Sequence, residues 1–273
     1  MLGNRLAEVI EARVHRPEQV AEAAAARRHA PSVVGPDGRL VIVAADHPAR
    51  GALGAGREQL AMADRADLLE RLCVALDRPG VGGVLGTADV LEDLLLLGAL
   101  HDKIVIGSMN RGGLAGTVFE IDDRFTGYDA AAIERMGFDG GKMLLRIDPD
   151  DPATAATIQA CARAVSDLAE RRLMAMIEPF ISHRADGRVF YDLAPEAMAR
   201  ARIIASGARS LNTRPSARCE MNGSIMAISR RSARSDTAWA HACMVAAVAG
   251  SSGSIRSSIL PPSKPIRWIA AAS

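Results

Sequence analysis

Apolar and polar positions change period repeatedly between residues 40 and 205. Short apolar runs stand at 40–45, 82–86, 103–107, 141–147 and 174–181. Helical spacing follows most of them. In 61–76, Leu68, Leu69, Leu72 and Leu76 fall on one helix face. Further helices are predicted over 90–100, 130–136, 152–172 and 194–205, with Asp151 before Pro152 placed as an N-cap. Upstream, 4–13 and 17–28 predict two helices. Pro17 suits a first helical position, where its missing N–H costs little. Residues 31–39 hold Pro, Gly and Asp and read as a loop.

Strands alternating with helices of 10–20 residues imply parallel pairing, because each return needs a crossover. The runs are apolar on both faces, as buried parallel strands are. Polar residues recur where these strands end: Asp46 and His47, Thr87 and Asp89, Ser108 and Asn110, Arg146 and Asp148, and Glu178. Barrel active sites collect residues from several strand ends in this way. The expected fold is therefore α/β, a TIM (β/α)8-type barrel that is incomplete, with five strand–helix units. An open doubly wound sheet is the alternative, but no G-x-G-x-x-G lies between the first strand and its helix. A chain of 273 residues suits one such domain of about 250.

Composition divides the chain further. Residues 1–210 hold 25 basic and 30 acidic residues, whereas 211–273 hold 8 and 2, with 12 of the 18 serines. The expected organisation is N-terminal helices over 1–39, a partial barrel over 40–208, and a basic Ser/Arg-rich tail over 209–273. Three readings of the tail stand open: a poorly ordered natural tail, a distorted completion of the barrel, and a shifted reading frame. A GC-rich frame read out of register yields Arg, Ser, Pro and Ala with few acids. No apolar run approaches the roughly 18 residues of a membrane span. Residues 1–28 lack the apolar core of a signal peptide. A cytoplasmic protein is expected, with neither nucleic acid nor membrane as partner. Cys73, Cys161, Cys219 and Cys243 are widely separated and read as free thiols.

The chain has 33 basic residues but only three lysines, Lys103, Lys142 and Lys264. Amine chemistry is thus confined to these three and the N-terminus. Strand side chains alternate, so Lys142, Leu144, Arg146 and Asp148 share one face and Met143, Leu145 and Ile147 the other. Burial and a cationic neighbour, Arg146, both favour the neutral amine that attacks a carbonyl. The plainer reading pairs Lys142 with Asp148, Asp46 or Glu178. Glu178 interrupts the apolar run 174–181, and buried carboxylates are rarely unpaired. Lys142, one strand earlier, is its natural partner. Asp46, His47 and Arg50 follow the first strand and suit proton transfer and oxyanion or phosphate binding. They suit a capped loop equally. Asn110 lies in Ser108–Gly113, a loop whose glycines permit close approach to a ligand or a tight turn. A metal-dependent lyase or hydrolase would draw on Asp46, His47, Glu178 and His183, but no compact ligand spacing such as H-E-x-x-H occurs.

At these residues the chain resembles a known group. VIVAADHPARG at 41–51, GGKMLLRIDPDDPAT at 140–154 and MAMIEPF at 174–180 are similar to the class I, Schiff-base aldolase superfamily of (β/α)8 barrels. The group includes tagatose-bisphosphate and deoxyribose-phosphate aldolase-like enzymes. The likeness is strongest to an actinobacterial aldolase-like family associated with inositol catabolism, and it covers roughly 5–208. The resemblance implies carbon–carbon cleavage or formation in a sugar or sugar phosphate, without metal or other cofactor, in a possible homo-oligomer. It implies catalytic roles for Lys142, Asp46 and Glu178, and leaves His47, Arg50, Asn110 and Arg146 as substrate-binding candidates. One departure stands out. In the tagatose-bisphosphate type the Schiff-base lysine lies on the sixth strand, whereas here no lysine lies between Lys142 and Lys264. Lys142 is then either an assisting residue or the only amine placed to react. A non-catalytic truncated barrel is the remaining alternative.

Overall fold

The computed structural model describes residues 3–35, 40–55, 57–111, 125–147, 151–181, 183–185, 188–190, 224–229 and 244–248. The chain divides into two compact units. The first runs to Ser108 and includes Arg135–Asp139; the second holds Met109–Glu134 and continues from Gly140.

The first unit begins with helices α1 (Asn4–His15) and α2 (Gln19–Ala26), followed by strand β1 (Val41–Ala45) and a 3₁₀ turn, Pro48–Arg50. Helix α3 (Arg65–Leu76), β2 (Val81–Gly86), α4 (Ala88–Leu96) and β3 (Ile104–Ser108) complete it. Both strand pairs, β1 with β2 and β2 with β3, are parallel. The predicted face of α3 is the buried one: Leu68, Leu69, Leu72 and Leu76 lie in the core with Leu91 and Leu94 of α4. Helix α3 starts later than its apolar pattern does, because Asp64 caps it by accepting the Asp67 N–H at 2.9 Å.

Two charged networks fasten the N-terminal helices. Asp93 of α4 is buried between two arginines. Arg13 of α1 donates to it at 2.5 Å, and Arg65 of α3 donates to its other oxygen at 3.0 and 2.6 Å. Arg13 also reaches Glu92 at 3.0 Å and the Asp89 carbonyl at 2.9 Å. Partial burial disfavours the Arg13 cation, but its bonds to Asp93 and Glu92 outweigh that and raise its pKa. Arg27, just beyond α2, is the second fastener. It donates to the Lys103 carbonyl at 2.9 Å and to the Gly137 carbonyl, and lies 3.6 Å from Asp139. Burial lowers the Arg27 pKa, and Asp139 offsets part of that.

The second unit holds α5 (Ala130–Arg135) as far as Glu134, then β4 (Gly140–Ile147), α6 (Ala153–Glu170) and β5 (Met174–Ile181). Asp129 and Asp151 accept the N–H groups of Ala132 and Ala153 at 2.6 and 2.8 Å, so short acidic side chains open both helices. Helix α6 buries Ile158, Cys161, Val165 and Leu168 on one face. Strands β4 and β5 run parallel over eight paired residues, from Gly140 with Met174 to Ile147 with Ile181. Beyond them come the short antiparallel pair β6 (His183–Ala185) and β7 (Arg188–Phe190), then β8 (Ser224–Ser229) and β9 (Met244–Val248).

The expected barrel is corrected here. The strands follow a linear order, β1-β2-β3-β4-β5-β8-β9, with β1 and β9 at its ends, so the sheet is open. After β5 the pairing turns antiparallel: Ala175–Ile177 pair with Ala227–Ser229, and β8 pairs antiparallel with β9. A closed (β/α) barrel requires each added strand to be parallel and the last to meet the first. Alternating strands and helices dictate parallel pairing locally, but they do not encode closure. The predicted helix 194–205 lies outside the described residues. So do Cys219, Cys243 and Lys264. Cys73 and Cys161 are thiols outside any disulfide. Burial pushes the Cys73 thiol up, only partly countered by Arg5. Among the described residues no helix is long and apolar enough to cross a membrane.

Asp89 gives this fold a pH dependence. Partial desolvation alone would raise the pKa of this largely exposed carboxylate, but hydrogen bonds from Thr87 at 2.5 Å and Arg65 at 2.6 Å outweigh that and lower it. A depressed folded pKa contributes stability that is full above the unfolded value, about 3.9, and is lost as pH falls through the folded value. Asp89→Asn is therefore expected to reduce stability slightly at pH 7 and to flatten its decline as pH falls below about 4. Urea titrations across that range check it.

Candidate functional site

The residues singled out above fall into two groups, one in each unit. In the second unit, β4 carries Lys142, Leu144 and Arg146 on one face and Met143 and Leu145 on the other. All five are buried. Lys142 has no exposed surface, and its Nζ forms an ion pair with Oε2 of Glu178, itself 8% exposed. The register explains how they meet. Glu178 pairs across the ladder with Leu144, and Lys142 pairs with Met176. The amine therefore reaches one pleat along the strand, toward its C-terminal end, to find the carboxylate. A buried ammonium without such a partner is strongly disfavoured. The expected partnership of Lys142 and Glu178 is thus present in the structure.

Asn110 lies in this unit too, two residues beyond the end of β3. Its Oδ1 accepts the Leu144 N–H at 2.8 Å and its Nδ2 donates to the Leu144 carbonyl at 2.7 Å. Immediately before it, the Met109 N–H donates to the Lys142 carbonyl at 2.9 Å. Arg146, 5% exposed, sits two residues past Leu144, about 13 Å along the strand from Lys142 at 3.3 Å per residue.

The glycines before Lys142 escaped sequence reasoning as site residues. A Cβ on Gly140 would collide with the Met174 carbonyl oxygen and lie 2.7 Å from its Cβ. A Cβ on Gly141 would collide with the Met109 sulfur and lie 2.8 Å from Ile133 Cδ1. The doublet preceding an inward lysine was the available signal, since close backbone approach is a standard use of glycine.

In the first unit, Asp46 follows β1 and is 2% exposed. Arg50 donates to its Oδ2 at 2.8 Å from the turn Pro48–Arg50, which Gly51 closes at φ 73°. His47 Nδ1 lies 3.8 Å from Asp46 Oδ1 and its side chain is 43% exposed. This turn can present an imidazole to solvent beside a charge-balanced carboxylate. Thr87 and Asp89 serve the helix contacts described above. Asp148 and the side chain of His183 lie outside the described residues. Among the described residues no three of His, Cys, Asp and Glu converge as a metal-binding group.

The model of the Cgl0159-like family matches residues 38–218, a span that includes every residue of both groups. Among solved structures, Cgl0159 from Corynebacterium glutamicum is similar at 48% identity, over 76% of this chain and 70% of that one, with a TM-score of 0.69. No curated protein matches the chain.

The two glycines are expected to differ in tolerance. Gly140→Ala meets backbone that cannot shift without opening the β4–β5 ladder, and is expected to cost about 3 kcal/mol. Gly141→Ala meets ends of flexible side chains and is expected to cost about 1 kcal/mol. Chemical denaturation of the two variants checks this, and equal costs would count against the β4 geometry described here.

Proposed function

The chain belongs to the Cgl0159-like family, and from that premise we propose that it is a Schiff-base aldehyde-lyase acting on a sugar or sugar phosphate through Lys142. The observation that carries this reading is the fully buried Lys142 held against Glu178 on adjacent strands. Burial beside a proton acceptor suits an amine that must exchange its proton on the reaction path.

The chemistry follows from the pair. Glu178 takes a proton from the ammonium, and the neutral amine adds to a substrate carbonyl. Glu178 returns the proton as the carbinolamine loses water, leaving an iminium. The iminium draws electrons from the bond between its α and β carbons; as that bond breaks, the β-hydroxyl gives its proton to the Glu178 carboxylate, releasing an aldehyde and leaving an enamine. Protonation of the enamine and hydrolysis of the iminium regenerate Lys142. Addition in the reverse order forms the bond. Arg146, on the same face of β4, is the candidate for holding an anionic group of the substrate. Asp46, with His47 and Arg50, enters this reading through the resemblance of the first-strand loop. With no lysine between Lys142 and Lys264, the reading makes Lys142 the nucleophile rather than an assistant to one.

Borohydride trapping tests it. The full chain is incubated with candidate ketoses and sugar phosphates, reduced, and mapped by mass spectrometry. The expected result is a reduced adduct on Lys142 that disappears in Lys142→Met. With only three lysines the assignment is direct. No adduct on Lys142, or one only on Lys103 or Lys264, would leave the pair as a structural ion pair and defeat the proposal.

A further inference from the structure

We propose that Asn110 is a positioning residue that sets the place of the Lys142 amine, rather than a ligand of the substrate. The inference rests on the reading of Lys142 given above and concerns how that amine is held.

Strand β3 ends at Ser108, and the two residues that follow it bond to the main chain of β4. Met109 donates its N–H to the Lys142 carbonyl at 2.9 Å, and the Met109 carbonyl accepts the N–H of Gly127 at 3.0 Å. Asn110 then takes both main-chain groups of Leu144 with the two ends of one side-chain amide, at 2.7 and 2.8 Å. The amide stands in for a peptide unit of a strand. The main chain at 110 therefore need not stay in register beside β4.

The consequence falls on the lysine. Lys142, Leu144 and Arg146 share one face, with Leu144 in the middle. On one side Leu144 is paired with Glu178, the residue whose carboxylate meets the amine. On the other side it is fixed by Asn110. Asn110 and the Met109 N–H thus hold the backbone at Lys142 and Leu144, while the Glu178 carboxylate holds the tip of the lysine. Both Asn110 and Leu144 are nearly without exposed surface, so the main-chain groups of Leu144 do not face bulk water if the amide is lost. The chemistry of the clamp is selective. An amide alone of the small side chains offers a donor and an acceptor at this spacing. Aspartate keeps the shape and the acceptor but sets a second oxygen against the Leu144 carbonyl.

The test uses the full chain as wild type, Asn110→Ser and Asn110→Asp, with two readouts. In the first, lysine-selective isotope labelling gives one side-chain NMR signal per lysine, and Lys142→Met assigns that of Lys142. The expected result is a Lys142 signal that shifts or broadens in both variants while those of Lys103 and Lys264 stay in place. In the second, the rate of borohydride-trapped adduct on Lys142 is measured with glycolaldehyde as probe. It is expected to fall about 10- to 100-fold, the range for displacing a reacting group by about 1 Å. Folded variants with an unmoved Lys142 signal and an unchanged trapping rate would overturn the proposal. So would loss of folding in both variants, since the amide would then serve the fold alone. A wild type that forms no adduct defeats the Schiff-base reading by itself, and the NMR signal then decides the role of Asn110.

Discussion

A charged amine with no contact with water is the constraint around which the second unit is arranged. Removing an ammonium and a carboxylate from water costs several kcal/mol per ion, which their mutual attraction offsets only in good geometry. That geometry fixes much else. Glu178 must stand one pleat beyond Lys142, which ties β5 to β4 in a single register over eight pairs. Gly140 and Gly141 keep clear the space that Met174 and Met109 occupy. Asn110 and the Met109 N–H hold the β4 main chain at the level of the amine. A slip of one residue would turn every side chain of β4 to its other face and break the Lys142–Glu178 pair.

The first unit uses buried charge differently. Its acids are surrounded by guanidinium groups, with Asp93 between Arg13 and Arg65 and Asp46 against Arg50. Arginine presents several donors in a rigid fork, so one carboxylate can join three helices. These contacts have no obvious task beyond architecture at Asp93. At Asp46 the same device places a buried carboxylate at a strand end, with an imidazole beside it. The contrast between a lysine in one unit and arginines in the other bears on function. An arginine stays charged and clamps, whereas a lysine can give up its proton and react.

Much of this could be read from the residues themselves. Alternation along β4 placed Lys142, Leu144 and Arg146 on one face, and the acid interrupting β5 found its partner on the preceding strand. The leucine spacing of α3 gave its buried face. What was not legible has physical causes. Sheet closure is a global property, and five strand–helix units look alike whether or not three more follow. Strand β8 lies in a serine-rich stretch whose composition masks it. The role of Asn110 depends on a side-chain bond to main chain 34 residues away, which leaves no periodic trace. The same is true of Arg13, whose partners on α4 are nearly 80 residues distant.

The organising role of the buried pair is open to direct measurement by a double-mutant cycle on unfolding free energy with Lys142→Met, Glu178→Leu and the two combined. Removing either ion alone takes the ion-pair partner from a buried charge and should cost about 3–5 kcal/mol, while the combined variant, with an apolar pair in place of the ions, should cost far less than the sum. A coupling of at least about 2 kcal/mol is the predicted result. A coupling within about 0.5 kcal/mol of zero, the range expected of independent sites, would contradict the account.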